Sequence, residues 1–154
     1  MHSFRSFMCL ILTITVFSCV NNDDPIVQCA AIDYAVPGLL IEIVDANGNN
    51  LVKNGTYDKD EIAVIIDDTN ISRILVNEEF DHIISILLSD ALDGTEAQVI
   101  LSSSETDVLK VELTRTTTGE PCFFSIFNVD EVLYNGEITP VEDLPFNQKI
   151  TVTK

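Results

Sequence analysis

Residues 97–113, AQVILSSSETDVLKVEL, give the clearest indication of the fold. They contain two predicted strands, Ala97–Leu101 and Asp107–Leu113, and the polar residues 102–105 between them predict a hairpin turn. The second strand alternates with a period of two, and its apolar face consists of Leu109, Val111 and Leu113. Such alternation is typical of an antiparallel strand that buries one face and exposes the other. We therefore predict a hairpin that lies on one side of a hydrophobic core.

Short β-branched runs recur on both sides of this hairpin. Turn signals separate them, namely the pairs Asn47-Gly48, Asn54-Gly55, Asp93-Gly94 and Asn135-Gly136. Asn-Gly and Asp-Gly favour tight turns because both residues tolerate a positive φ. The further predicted strands are Leu39–Val44, Ile62–Ile66, Ile71–Val76, Cys122–Phe127, Val132–Tyr134, Glu137–Ile138 and Lys149–Thr153. We expect the last of them to close the fold at a sheet edge, where Lys149 would oppose pairing with another chain.

The segment 77–92 fits two structures. Its apolar residues match one face of a helix, and Asn77 followed by two glutamates is a good helix start. However, the run 83–86 is rich in β-branched residues, and the neighbouring segments are strands. We favour a strand here and keep a helix as the alternative.

Eight or nine short strands with regular turns predict an all-β domain. We expect an antiparallel β-sandwich over residues 37–154, with an immunoglobulin-like or transthyretin-like strand order. An open β-barrel is the alternative architecture, and an α+β fold would follow if 77–92 were a helix.

The charge of the chain is strongly negative. The sequence has 8 Lys and Arg against 25 Asp and Glu, and of all these only Arg5 precedes Cys19. Residues 19–154 therefore carry a formal charge of −18. The acidic excess disfavours nucleic acid as a partner, because phosphates require basic side chains, and it disfavours a polybasic membrane contact. The apolar fraction of 46% is too high for a disordered acidic tail.

The N-terminal segment has the pattern of an export signal. Residues 7–17, FMCLILTITVF, are uncharged but too few to span a bilayer, as in a signal peptide. Val16-Phe17-Ser18-Cys19 overlaps the end of this run, with a small residue before the cysteine. This stretch resembles a bacterial lipobox, and in that family the thiol at the position of Cys19 is diacylated and the chain is cut before it. Two or more acyl chains give stable anchoring, whereas one is marginal.

The residues after Cys19 resemble the start of small Bacteroidota lipoproteins, a group to which we can attach no activity. Asp23-Asp24 is similar to the acidic export tag of their surface-exposed members. The resemblance implies a signal peptide over 1–18 and a lipidated N-terminus with a polar tether over 19–36. It also implies the bacterial cell envelope as the location, as an outer-membrane lipoprotein on the cell surface. An ordinary secretory signal that leaves Cys19 as a free thiol is the alternative.

The four cysteines have separate expected fates. Cys9 lies in the segment to be removed and Cys19 is the expected lipidation site, so Cys29 and Cys122 remain as a pair. Disulfides persist in exported proteins, and we expect a Cys29–Cys122 bridge that adds about 3 to 5 kcal/mol in the chain-entropy model. Two separate buried thiols are the alternative.

Few residues have recognisable chemistry. The alternate spacing of a calcium loop is shared by Asp45, Asn47 and Asn49. Asn50 and Thr56 stand where such a loop needs glycine and glutamate, so we expect a turn there. His82 is the only histidine besides His2, and no nucleophile elbow, phosphate-binding loop or zinc motif accompanies it. We expect no metal, no cofactor and no catalytic residue.

Two functional hypotheses remain. The first is a lipid-anchored binding or structural accessory module at the outer membrane, with a protein or glycan partner at the cell surface. The second is a surface glycan-binding domain, or a glycan hydrolase that uses two carboxylates. Sugar-binding platforms need aromatic faces. The sequence has no Trp, and its tyrosines are Tyr34, Tyr57 and Tyr134.

Overall fold

The computed structural model describes residues 38–77, 80–117, 119 and 125–154, all of which lie in the unit Asp33–Lys154. They form eleven strands. The bounds are β1 Gly38–Val44, β2 Ala63–Ile66, β3 Thr69–Asn70, β4 Ser72–Val76, β5 Asp81–Leu87, β6 Glu96–Ser102, β7 Glu105–Thr117, β8 Ser125–Tyr134, β9 Glu137–Ile138, β10 Val141–Asp143 and β11 Gln148–Thr153. No helix occurs among the described residues, and the all-β prediction is confirmed.

The strands form two sheets. The five-stranded sheet has the order β10-β11-β1-β5-β4, and the six-stranded sheet has the order β3-β2-β6-β7-β8-β9. Every neighbouring pair is antiparallel except β1 with β11. Over the described ranges the strands do not form a closed barrel, and the predicted β-sandwich is confirmed. The finer choice between an immunoglobulin-like and a transthyretin-like order stays a prediction.

Strand β1 lies at the centre of the five-stranded sheet, and Glu42 is its only charged residue. Leu39, Leu40 and Ile41 are all fully buried. A continuous apolar run of this kind suits a strand that is covered on both faces and has a neighbour at each edge. Strand β5 pairs with one edge of β1 in the antiparallel sense, and β11 pairs with the other edge in the parallel sense.

The prediction that the last strand lies at a sheet edge is wrong. Strand β11 lies between β1 and β10, because the chain folds back through a turn closed by the Leu144 N–H and the Asn147 carbonyl. Lys149 therefore does not lie at a sheet edge, where it could oppose pairing with another chain. Its Nζ lies 3.5 Å from Glu42 Oε2 on β1 and 3.1 Å from Glu142 Oε2 on β10.

The strand prediction for 77–92 is confirmed over Asp81–Leu87, and the α+β alternative fails there. The Asn77 N–H donates to the Phe80 carbonyl at 2.8 Å, and Asn77 Oδ1 accepts from the Phe80 N–H at 2.7 Å. The asparagine that would have capped a helix thus closes the turn between β4 and β5.

The hydrophobic core lies between the inner faces of the two sheets. The alternation in the opening hairpin is confirmed, since Leu109 and Val111 are fully buried. From the five-stranded sheet the core takes Leu39, Ile41, Ile43, Ile84, Ile86, Ile150 and Val152. From the six-stranded sheet it takes Val64, Ile66, Ala97, Val99, Leu101, Leu109, Val111, Val129, Val132 and Tyr134.

Strands β7 and β8 are longer than predicted. They pair from Leu109 with Tyr134 to Thr117 with Ser125, with a register shift between Glu112 and Leu113. Strand β8 joins the end of the predicted run at 122–127 to the predicted strand at 132–134, while residues 122–124 lie outside the described part.

We expect Ile41→Ala to lower the free energy of unfolding by about 2 to 5 kcal/mol, because it leaves a cavity between the sheets. The matched control is Ile138→Ala, at a side chain that is 71% exposed. That change should stay within about 0.5 kcal/mol. Urea unfolding of both variants measures the difference, and equal losses would contradict the described core.

Candidate functional site

Residues 1–37 lie outside the described part of the chain, and with them Cys9, Cys19, Asp23-Asp24, Cys29 and Tyr34. Cys122 also lies outside it. Lipidation at Cys19 and the Cys29–Cys122 bridge therefore stay predictions. The described candidates are Asp45, Asn47, Asn49, Tyr57, His82 and Tyr134.

The loop at Asp45 forms the predicted turn. Asp45 Oδ1 accepts hydrogen bonds from the backbone N–H groups of Asn47 and Asn49, both at 2.8 Å. Its Oδ2 accepts one from Asn49 Nδ2 at 2.8 Å, and this contact contributes most to lowering the pKa of Asp45. Both carboxylate oxygens thus bond to the loop itself, as in an Asx turn. Within the described ranges no group of three His, Cys, Asp or Glu side chains has an arrangement that could hold a metal ion.

His82 lies beside a salt bridge at the start of β5. Its Nδ1 lies 2.6 Å from Asp81 Oδ1, and Lys53 pairs with the other oxygen of Asp81. The Lys53 contact is the main cause of a lowered pKa for Asp81. The ring is therefore oriented by a surface carboxylate, at a residue whose φ is +60°.

A polar cluster that the sequence analysis did not single out joins the two sheets. We call it the Lys154 cluster, and its members are Tyr57, Glu105, Asp107, Tyr134, Asn135 and Lys154. Alternation along β7 places the Glu105 and Asp107 side chains on one face. Lys154 follows β11, and its backbone N–H donates to the Val44 carbonyl at 2.9 Å. The parallel pairing of β11 with β1 thereby brings a lysine from one sheet to carboxylates of the other.

Asp107 is the centre of this cluster. Its side chain is 7% exposed, and its Oδ2 lies 2.5 Å from Lys154 Nζ. The Tyr134 hydroxyl donates to the same oxygen at 2.7 Å, and Asn135 Nδ2 donates to Oδ1 at 2.8 Å. A buried carboxylate requires such partners, because burial without them costs several kcal/mol. Three side-chain donors thus satisfy both oxygens of Asp107.

Glu105 is the second carboxylate of the cluster. Its Oε1 accepts a hydrogen bond from Lys154 Nζ at 2.9 Å, and its Oε2 accepts one from the Tyr57 hydroxyl at 2.9 Å. These two bonds, that from Lys154 foremost, lower the pKa of Glu105. Lys154 Nζ therefore lies between two carboxylates.

The cluster is ionised in its resting form. Burial alone would raise the pKa of Asp107, but the hydrogen bonds from its three donors lower it. Burial alone would lower the pKa of Lys154, but the bonds to Asp107 and Glu105 raise it. Near neutral pH the two carboxylates are therefore anionic and the lysine is cationic.

The cluster does not suit the glycan hypothesis. Tyr57 and Tyr134 are 8% and 5% exposed, so neither ring offers a face to a sugar. Burial is the first cause of a raised pKa for both tyrosines. Carboxylate-based hydrolysis needs one carboxyl group that is protonated at working pH, and both Glu105 and Asp107 have lowered pKa values.

One sequence signal for this cluster was present. Asp107, Leu109 and Val111 are alternate residues of β7, so Asp107 places a charged group on the buried face of the strand. A carboxylate at such a position needs a partner in the core. Nothing local identifies that partner as Lys154, which is 47 positions further along the sequence.

A cleft of about 710 Å³ opens beside β4 and β5. This volume lies within the usual range for ligand sites. Its apolar lining includes Leu75, Phe80 and Leu87, and its amide lining includes Asn70, Asn77 and Asn147. Arg73 on β4 also lines it.

Arg73 differs from the other cations of the domain. Each of the others in the described residues forms an ion pair with a carboxylate, namely Lys53, Lys59, Lys110, Arg115, Lys149 and Lys154. Arg73 has no such partner among the residues that the structure describes. A guanidinium presents a planar fork of donors that matches a carboxylate. The cleft therefore combines an apolar surface with a cation that no described carboxylate pairs.

Comparison with known proteins gives no relative: no family model, no curated protein and no solved structure matches the chain. Within the described residues there is also no helix with the length and apolarity needed to cross a membrane. The functional assignment therefore depends on the residues themselves.

We expect Asn135→Gly to lower the free energy of unfolding by about 1 to 3 kcal/mol, because it removes the donor to buried Asp107. It also removes the acceptor for the Val108 N–H at 2.8 Å. Asn135→Ala should cost about 1 kcal/mol more, since the φ of +53° at this position disfavours a Cβ atom. Urea unfolding of both variants measures these losses. Two variants as stable as the natural protein would contradict the described contacts.

Proposed function

We propose that the protein is a lipid-anchored accessory module of the bacterial cell envelope that binds a protein partner. The observation that carries this proposal is Val16-Phe17-Ser18-Cys19 at the end of an uncharged run. Acylated Cys19 would hold the chain at the outer membrane, and residues 19–36 would serve as the tether. Asp23-Asp24 supports display on the cell surface.

The partners of the charged side chains favour binding over catalysis. The two carboxylates of the Lys154 cluster are occupied by Lys154 and by side-chain donors. The cleft at Arg73, by contrast, contains a cation that forms no ion pair with any described residue, and Phe80 and Leu87 also line it. A partner that places an acidic side chain on Arg73 and an apolar side chain on the neighbouring surface fits this chemistry.

A protein partner is favoured over a glycan within the same proposal. Tyr57 and Tyr134 are in the core, so the aromatic faces expected of a sugar platform are not available from either residue. The glycan-binding or glycan-hydrolysing alternative has no supporting contact among the described residues.

Replacement of Cys19 tests the anchor. We expect Cys19→Ala to abolish acyl labelling and to move the protein from the membrane fraction to the soluble fraction, because no second acyl site is expected. Cys9→Ala is the matched control, since Cys9 lies in the segment to be removed, and it should leave both properties unchanged. If Cys19→Ala still partitions with membranes, the anchor is wrong.

Photocrosslinking in cells tests the cleft. A photoreactive amino acid at Leu87, which is 57% exposed, should give a discrete adduct, whereas the same group at Ile138 on the other sheet should not. Arg73→Glu should remove at least about nine-tenths of the adduct at Leu87, because the ion pair with the partner becomes a repulsion. Arg115→Glu makes the same change in charge at a residue already paired with Asp90, and it should have little effect. Adducts of equal yield at both positions, or no adduct, would contradict a binding role for the cleft.

A further inference from the structure

We propose that Lys154 and Asp107 become joined by an amide bond between their side chains, which the folded protein forms without another enzyme. This bond would be a covalent link between the two sheets. It is independent of the proposed anchor and partner, so its test neither requires nor decides them.

The two reacting groups are already in contact. Lys154 Nζ lies 2.5 Å from Asp107 Oδ2, and the side chains are 20% and 7% exposed. The backbone bond from the Lys154 N–H to the Val44 carbonyl fixes the residue that carries the amine. On the other side, Tyr134 and Asn135 hold the carboxylate. Two groups held in this way react with effective concentrations on the order of 10⁵ M or more when their geometry is productive.

The reaction is balanced without an oxidant or a second substrate. One proton passes from the Lys154 ammonium to Asp107 Oδ2, which gives a neutral amine and a neutral carboxyl group. Nζ then attacks Cγ, and a second proton leaves Nζ. The Cγ–Oδ2 bond breaks, and Oδ2 departs with both protons as one water molecule. The product is an amide whose carbonyl oxygen is Oδ1 and whose nitrogen keeps one hydrogen.

The neighbouring side chains match the needs of each step. Glu105 Oε1, at 2.9 Å from Nζ, is placed to take the second proton and pass it to the departing oxygen. Asn135 Nδ2 donates to Oδ1, where negative charge develops during the attack. The Tyr134 hydroxyl donates to Oδ2, the oxygen that leaves. Glu105 is therefore a catalytic residue for this single event.

Removal of the two charges favours the product. The Asp107 carboxylate is 7% exposed and the Lys154 side chain 20%, so both charges have lost hydration, and the amide no longer carries that desolvation cost. The amide is neutral, and its oxygen and N–H keep Asn135 and Glu105 as partners. Because the ion pair is the resting form, the neutral pair that reacts is a minor species, and we expect the bond to form slowly after folding.

Asp107 is favoured over Glu105 as the acceptor. Its oxygen is nearer to Nζ, at 2.5 Å against 2.9 Å. Its side chain is also less exposed, at 7% against 39%. Lys149 offers an internal comparison, because its side chain is 22% exposed but its nearer partner, Glu142, is 60% exposed. Water screens that pair, so we expect no link at Lys149.

Peptide mass spectrometry of the full chain tests the proposal. Trypsin cuts after Lys and Arg, so Asp107 falls in peptide 74–110 and Lys154 in peptide 150–154. We expect a branched species with the summed mass of these two peptides less one water. Neither peptide contains cysteine, so a disulfide cannot produce this species. Fragmentation should place the branch at Asp107.

Two variants sharpen this test. Lys154→Arg keeps the positive charge but has no amine that can form the link, so it should give only the two linear peptides. Glu105→Gln keeps both reacting groups, and it should slow the appearance of the branched species by about 10²-fold to 10⁴-fold. Linear peptides alone from the natural protein after prolonged incubation would overturn the proposal. A branch at Glu105 would overturn the assignment of Asp107.

Discussion

The parallel pairing of β1 with β11 holds the five-stranded sheet together at its centre. Leu39, Leu40 and Ile41 of β1 are fully buried, and the two edges of the strand must also be hydrogen-bonded, because unpaired backbone groups in a core are costly. Strand β5 satisfies one edge and β11 the other. The register of β11 ends with Thr153 opposite Val44, and Lys154 comes next. The pairing of β11 with β1 thus determines where Lys154 contacts the opposite sheet.

Lys154 contacts Asp107, a carboxylate whose burial without a partner would be costly. Asp107 occupies an inward position of β7, and its oxygens are satisfied by Lys154, Tyr134 and Asn135. Buried ion pairs add little net stability, but loss of one partner is costly. The contacts therefore select one register for β11. A covalent link would make that choice permanent.

The sequence was informative wherever structure is decided locally. Alternation at Leu109 and Val111 predicted the hairpin, and the Asn-Gly pairs predicted the turns, because both signals act over a few residues. The edge position predicted for Lys149 was wrong because parallel pairing depends on β1, which is distant in sequence. The Lys154 cluster and the cleft at Arg73 are also assembled from distant segments. Of these features, only the charge of Asp107 on a buried face was visible in advance.

The distance between Lys154 Nζ and Asp107 Cγ shows whether the two sheets are covalently linked. A crystal structure of the aged protein at atomic resolution would give it. We expect continuous electron density between the two atoms and a separation of about 1.33 Å, the length of an amide C–N bond. Separate density for an ammonium and a carboxylate in the aged protein would contradict the covalent link. A Lys154 side chain that points away from Asp107 would also contradict the described contact between the two sheets.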